Sequence, residues 1–284
     1  MKTYYDRLMA FDGAEHLKEL VRRWEILSEN LNKRSFNAPI VLPDLFVYTS
    51  PGYGNTRLLA LLSDYLDSRG NLMSFYGEVK FFEYKLDYCP PEREFQELFR
   101  LIETANSAAG FRSEFRGVVR INVDEWVNHH KEKHFLDFLQ FLQFNTPYWM
   151  VVLSISNTRQ NEDTRAMEAV VSMYLRLETV ILNVRTDDEL VTYAEDHLSK
   201  YDLSLSEEAK EILKKSIAVL KKNKYFYGLH TVKDLCNDIV YSIYSASTDV
   251  SHVITAEMIT EFEPDGAYIR RTVLKTKKTA SLGF

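Results

Sequence analysis

The chain has 284 residues, enough for one large α/β domain or for a core domain with a smaller satellite. Its composition, 45% hydrophobic, 13% aromatic and 27% charged, excludes a disordered chain. A formal net charge of −6 argues against a general nucleic-acid binder, which would show a basic footprint.

Apolar residues recur at helical spacing from about Ala14 to Leu31 (Leu17, Leu20, Val21, Trp24, Leu27, Leu31), which predicts an amphipathic opening helix. A polar stretch from Asn32 to Asn37 follows. Then come five apolar runs of strand length: Leu45–Tyr48, Phe81–Leu86, Val118–Val123, Trp149–Ile155 and Val180–Val184. Helical patterns separate them at Thr56–Ser68, Glu92–Asn106, Glu132–Leu142 and Thr164–Leu175. This alternation predicts a mostly parallel sheet covered on both faces, and near-continuous apolar strands suit such burial.

After Val184 the strand signals stop. Thr186 with Glu189 three residues on predicts a capping box opening a helix to about Leu198. Ser206-Glu207-Glu208 predicts another, its acids facing the positive end of the helix dipole. Further helices are expected at Thr231–Ser245 and Thr255–Glu261. The domain expectation is therefore a helical segment at 1–37, a core at 38–185, a small helical domain at 186–263 and a tail at 264–284. The tail carries Arg270, Arg271, Lys275, Lys277 and Lys278, a charge block that suits a solvated terminus or docking on an acidic partner.

Cys89 and Cys236 are the two cysteines, and they supply neither a disulfide framework nor metal-ligand spacing. The segment Met1–Asp6 has no apolar signal core, and no run approaches the roughly 18 apolar residues of a membrane span. A cytoplasmic protein with no membrane partner is expected.

The segment richest in chemistry is Thr49-Ser50-Pro51-Gly52-Tyr53-Gly54-Asn55-Thr56, between an apolar strand and a helix beginning Arg57-Leu58-Leu59. Glycines in that setting let backbone N–H groups turn inward around phosphate oxygens, and the helix N-terminus adds positive potential. Measured against G-x-x-x-x-G-K-[ST], Gly54 and Thr56 match, Thr49 replaces the first glycine and Asn55 replaces the lysine. The same Pro-Gly-x-Gly pattern also suits a plain turn. Asn55 can donate a neutral hydrogen bond, worth about 1 kcal/mol, where a charged donor gives roughly 1.5–3 kcal/mol. A weaker nucleotide site and a still weaker catalytic one are expected, because the lysine also stabilises charge during transfer.

A second segment, Val118-Val119-Arg120-Ile121-Asn122-Val123-Asp124-Glu125, is an apolar strand ending in two acids. In the Walker B pattern the Asp holds Mg²⁺, largely through water, and the Glu polarises the attacking water. Solvated acids at a strand end are the plainer reading.

In this order the features resemble AAA+ ATPases, in particular the branch containing red-type rubisco activase and the spore-formation ATPases. The resemblance runs from Leu8-Met9-Ala10-Phe11-Asp12-Gly13-Ala14-Glu15-His16-Leu17-Lys18, similar to the group's "Leu-x-Gly-Leu-x-x-Val-Lys", through the altered loop and Asp124-Glu125 to about residue 262. It implies a P-loop-type parallel five-stranded sheet flanked by helices and followed by a small all-helical lid. It implies ATP or ADP with Mg²⁺, the nucleotide held by Pro51, Gly52, Tyr53, Gly54, Asn55, Thr56 and Arg57, and the metal by Thr56 and Asp124. Glu125 takes the catalytic position, Asn157 that of sensor 1. Arg176, in Tyr174-Leu175-Arg176-Leu177, resembles the arginine finger given to a neighbouring subunit. Thr186-Asp187-Asp188-Glu189-Leu190 resembles the opening of the lid. Lys233, in His230-Thr231-Val232-Lys233-Asp234-Leu235, falls near sensor 2. Arg176 and Lys233 also suit ordinary surface charges. Members that thread substrates carry an aromatic-hydrophobic-Gly loop; here Leu86–Glu92 has Tyr88, two prolines and no glycine, so threading is not expected.

Three functions follow as expectations: an ATP-binding protein with weak or absent hydrolysis, in which nucleotide controls assembly or conformation; a non-catalytic scaffold or adaptor beside an active AAA+ partner; or a working ATPase with another cation, Arg57 being nearest. A homo-oligomer, or a hetero-oligomer with another AAA+ subunit, is the expected partner, with room for a protein client.

Overall fold

In the computed structural model, which describes residues 3–34, 40–70, 72, 80–88, 100, 117–145, 149–156, 160–222, 226–246 and 252–260, helix α1 spans Tyr4–Met9 and α2 spans Glu15–Lys33. Thr3 caps α1 in a reciprocal box with Asp6. Gly13, at φ 75°, turns the chain between the two helices in a conformation that a side chain resists. The stripe expected on α2 is buried at Leu17, Leu20, Val21 and Trp24.

Strands β1 (Asp44–Tyr48), β2 (Lys80–Lys85), β3 (Gly117–Asn122), β4 (Trp149–Ile155) and β5 (Leu177–Ile181) make one parallel sheet in the order β2-β3-β4-β1-β5. Helices α3 (Asn55–Ser68), α4 (Lys133–Asn145) and α5 (Glu162–Val171) alternate with them. Successive strand residues face opposite ways, which divides the core in two. Leu45, Val47, Val118, Val152 and Val180 pack with α1, α2 and α3 through Leu8, Trp24, Leu58 and Leu62. Phe46, Tyr48, Ile121, Val151 and Leu153 pack with α4 and α5 through Phe135, Phe138 and Met167. Full burial of such side chains contributes about 1.5–3 kcal/mol each. The expected α/β architecture, a five-stranded parallel sheet flanked by helices, is present.

Strand β5 starts three residues before the apolar run at Val180–Val184 that the sequence marks. It is an edge strand, and Leu177, Glu178 and Thr179 are only half-buried, so continuous hydrophobicity is a poor guide to it. The expected helix at Glu92–Asn106 lies outside the described residues except for Arg100.

Two compact units divide the chain: Met1–Ser50 with Asn55–Val184, and Pro51–Gly54 with Arg185–Phe284. In the second, α6 (Asp187–Leu198) opens with the capping box of Thr186 and Glu189, and Ser206 caps α7 (Glu207–Leu220). Helices α8 (Gly228–Ala246) and α9 (Ala256–Thr260) follow. Leu190, Leu198, Leu213, Ile217, Val232 and Ile239 form the core of this unit. Two residue pairs, Ser204–Leu205 (β6) and Val253–Ile254 (β7), add a short parallel ladder to the helices; runs of two residues carry no readable period.

Candidate functional site

The glycine turn leaves the sheet from a fixed base. At the end of β1 the Tyr48 carbonyl accepts from Leu182 N–H at 2.8 Å, and Thr49 N–H donates to the Ile155 carbonyl at 3.0 Å. The chain then runs through Gly52 and Gly54, at φ 83° and 81°, into α3. Asn55, which the sequence comparison sets against the motif's lysine, is buried. Its Nδ2 donates to the Ser50 carbonyl at 2.8 Å and to Thr49 Oγ1. The side chain thus folds back across the base of the turn, its amide hydrogens used internally and its charge zero.

Pro51–Gly54 belongs to the second compact unit. Tyr53 is a member of that unit's core, with Leu190 and Val232, so its ring is committed to packing. The Gly52 carbonyl accepts from Leu229 N–H at 2.8 Å. A Cβ on Gly52 would stand 2.3 Å from the Tyr227 oxygen, and one on Gly228 2.6 Å from the Gly52 oxygen. Close backbone approach therefore requires glycine at both positions, independently of any phosphate.

On the α3 face of the sheet a polar network follows the apolar layer. The Thr56 hydroxyl donates to Glu83 Oε1 at 2.9 Å, and Arg120 Nη1 donates to the same oxygen at 2.6 Å. Arg120 Nε donates to Ser154 Oγ at 3.0 Å. Glu83 and Arg120 are register partners on β2 and β3, which holds the pair in place.

The two acids follow β3 at the end of the sheet where β1 also ends: β4 joins the two strands, with Ser154 in register with Asn122 on one side and Val47 on the other. Asp124 opens a 3-10 turn, Asp124–His129, anchored by the buried Trp126. Its carboxylate accepts from Asn122 Nδ2 at 2.9 Å and from Ser156 N–H. Glu125 accepts from Lys85 Nζ at 2.8 Å and from Tyr88 N–H at 2.8 Å. Lys85 first, and the Tyr88 N–H second, hold the Glu125 carboxyl below the usual carboxylate range.

No protein-family model matches the chain, and no curated protein matches it. Solved structures do. A proline-to-glycine variant of Thermotoga maritima RuvB superposes with a TM-score of 0.51 at 13% identity, covering 89% of this chain and 70% of that one. An alanine-to-serine variant of the same protein gives a TM-score of 0.45 at 11% identity, over 86% and 67%. The Bacillus subtilis DNA clamp loader delta protein gives 0.34 at 12% identity, over 90% and 69%. The chain shares the fold of the proline-to-glycine RuvB variant. At 13% identity, fold is all that the likeness establishes.

The remaining predicted residues lie on separate elements. Arg57 is exposed near the start of α3, with no side-chain partner among the described residues. Arg176 is exposed just before β5, where its carbonyl accepts from Asp44 N–H at 2.8 Å. Lys233 is exposed on α8 in the second unit. Asn157 lies outside the described residues. The residues that sequence reasoning passes over are Glu83, Lys85 and Arg120. A charge inside each apolar run, Phe-Phe-Glu83-Tyr and Val-Val-Arg120-Ile, is the available signal, but pairing them needs the β2–β3 register.

Proposed function

We propose that the protein is an AAA+-type module that binds ATP or ADP but turns it over weakly or not at all, nucleotide acting in assembly or conformational control. The observation that carries this reading is the placement of Asn55. The residue where a phosphate-neutralising cation belongs is a neutral amide, already bonded to Thr49 and Ser50. Without that cation, the charge that develops during phosphoryl transfer loses a main stabiliser. Glu125 points the same way, because a general base must be free to take a proton and this carboxylate is held by Lys85 and the Tyr88 amide. Nucleotide contact itself is supported by the N-terminus of α3, whose N–H groups favour anions.

In this reading residues 38–185 form the nucleotide-binding core, 186–263 the lid, 1–37 an N-terminal helical segment and 264–284 a basic tail, and the protein assembles with itself or with another AAA+ subunit. The test is a titration of ATP and ADP followed by thermal unfolding, beside a phosphate-release assay. A midpoint that rises with nucleotide concentration, with little or no phosphate released, is the expected result. Rapid release abolished by Glu125→Gln would show a working ATPase instead, and no shift with either nucleotide would remove the nucleotide-binding reading.

A second reading, an adaptor that lends Arg176 to an active neighbour, is favoured by the exposure of that side chain. It expects Arg176→Ala to slow a partner ATPase while leaving this chain's own nucleotide binding unchanged.

A further inference from the structure

The second unit carries an open cavity of about 700 Å³ that has no part in the nucleotide reading. Tyr201, Asn237, Val240, Tyr241, Tyr244 and Ser245 line it. All but Tyr201 come from α8, where positions 237, 241 and 244 recur at helical spacing along one face. The lining is fixed from behind. The buried His197 donates from Nε2 to Asn237 Oδ1 at 2.8 Å, and the Tyr244 hydroxyl donates to the Tyr201 carbonyl at 2.6 Å. The three tyrosines are nonetheless left to solvent, Tyr201 at 42% exposed, Tyr244 at 46% and Tyr241 at 76%. No charged side chain lines the cavity, whereas the segments that build it are acidic. Residues 195–202 and 234–246 hold Glu195, Asp196, Asp202, Asp234 and Asp238 against one base, Lys200.

We infer that this cavity is the docking site of the chain's own basic tail, with the Arg270-Arg271 pair laid against the tyrosine rings. The chemistry is complementary. Residues 267–284 carry Arg270, Arg271, Lys275, Lys277 and Lys278 and no acid, opposite in sign to the segments around the cavity. A guanidinium stacks on the face of a tyrosine, and such contacts gain strength where the ring is already held in place. Tyr268 and Ile269 precede the pair and supply apolar area for the same surface. Reach is sufficient. Strand β7 runs beside Tyr201, since Ser204 N–H donates to the His252 carbonyl at 2.9 Å, and α9 follows it directly. From Thr260, where α9 ends, ten residues lead to Arg270. They span up to roughly 33 Å, comparable with the breadth of a domain whose radius of gyration is about 13 Å. Because tail and cavity share one chain, contacts too weak to join separate molecules suffice to close it. The inference is independent of nucleotide binding.

The experiment nitrates the full chain with tetranitromethane and follows Tyr241 by peptide mass spectrometry, beside trypsin cleavage within the tail. Nitration of Tyr241 should run several-fold faster in the double variant Arg270→Ala, Arg271→Ala than in the wild type. Reciprocally, Tyr241→Ala should speed cleavage after Lys275 several-fold, whereas Tyr241→Phe keeps the ring and should stay near the wild-type rate. Tyr241 is exposed enough for its replacement to spare the core of the unit. Equal nitration in wild type and double variant, or tail cleavage indifferent to Tyr241→Ala, would overturn the inference. Protection that grows with protein concentration would assign the cavity to the tail of a second copy and overturn the intramolecular contact.

Discussion

The Asn55 side-chain amide donates to the Ser50 carbonyl at 2.8 Å. The residue that opens α3 thereby ties together the two ends of the turn preceding it, a structural task that a lysine reaching toward phosphate would not perform. Asn55→Ala should cost about 1–2 kcal/mol, since a part-buried carbonyl loses its partner, and urea unfolding would measure it. Asn55→Lys should lose a similar amount of stability and bind ATP roughly tenfold more tightly. Unchanged affinity would mean that position 55 does not lie beside the phosphates.

Lys85 holds Glu125 at 2.8 Å. Lys85→Met removes the main cause of the lowered Glu125 pKa, so that carboxyl should titrate closer to the ordinary glutamate range. On its own the substitution should leave phosphate release unchanged. Combined with Asn55→Lys it should raise release measurably, and a further Glu125→Gln change should abolish the gain. No gain in the double variant would mean that holding Glu125 is not what limits turnover.

Asp44 is half-buried at the start of β1, and desolvation pushes its carboxyl up to about 7, against the partial opposing effect of the Val151 N–H at 2.7 Å. Its folded pKa lies above the ordinary value of 3.8. Between about pH 4 and pH 7 the native state therefore keeps a proton that the unfolded chain has lost, and stability falls as pH rises through that window. Every tenfold by which the folded chain holds that proton more tightly corresponds to about 1.4 kcal/mol. Asp44→Asn can still accept from Val151 and has no charge to bury, so the difference in unfolding free energy between variant and wild type should grow from about pH 4 and level off above about pH 7. A difference independent of pH would contradict the assignment.

Gly52→Ala and Gly228→Ala should each destabilise the second unit. The new Cβ would meet backbone oxygen at 2.3 Å and 2.6 Å respectively, and both positions have positive φ. A left-handed conformation alone costs a side chain about 1–2 kcal/mol, and the clash adds to it. Hydrogen exchange at Leu229, whose amide bonds to Gly52, should accelerate in both variants. If Gly52→Ala instead left that amide protected and only impaired nucleotide binding, the glycine would serve phosphate and not packing.

The architecture is largely legible in the sequence because it depends on local signals. Runs such as Trp149–Ile155 are apolar throughout, and β4 is buried along its whole length; Thr186 and Glu189 predict a cap that the chain makes. Strand β5 departs from its apolar run because an edge strand needs only part of its surface covered. Within the candidate site the glycine turn and the acids at 124 and 125 are visible as motifs. What their side chains bond to is not, since each partner comes from another strand or the loop beyond it: Glu83 for Thr56, Lys85 for Glu125, Ser156 for Asp124.

By itself, the sequence determined the sheet-and-helix alternation, the two glycines of the turn and the neutral asparagine that follows them, because period, backbone freedom and side-chain charge are properties of neighbouring residues. Only the tertiary structure decided that Asn55 faces the loop base, that Glu125 is paired with Lys85, and that Arg120 and Thr56 meet the same Glu83 oxygen. Those outcomes depend on strand order and register, which bring together groups dozens of residues apart and leave each polar group to find the partner that satisfies it.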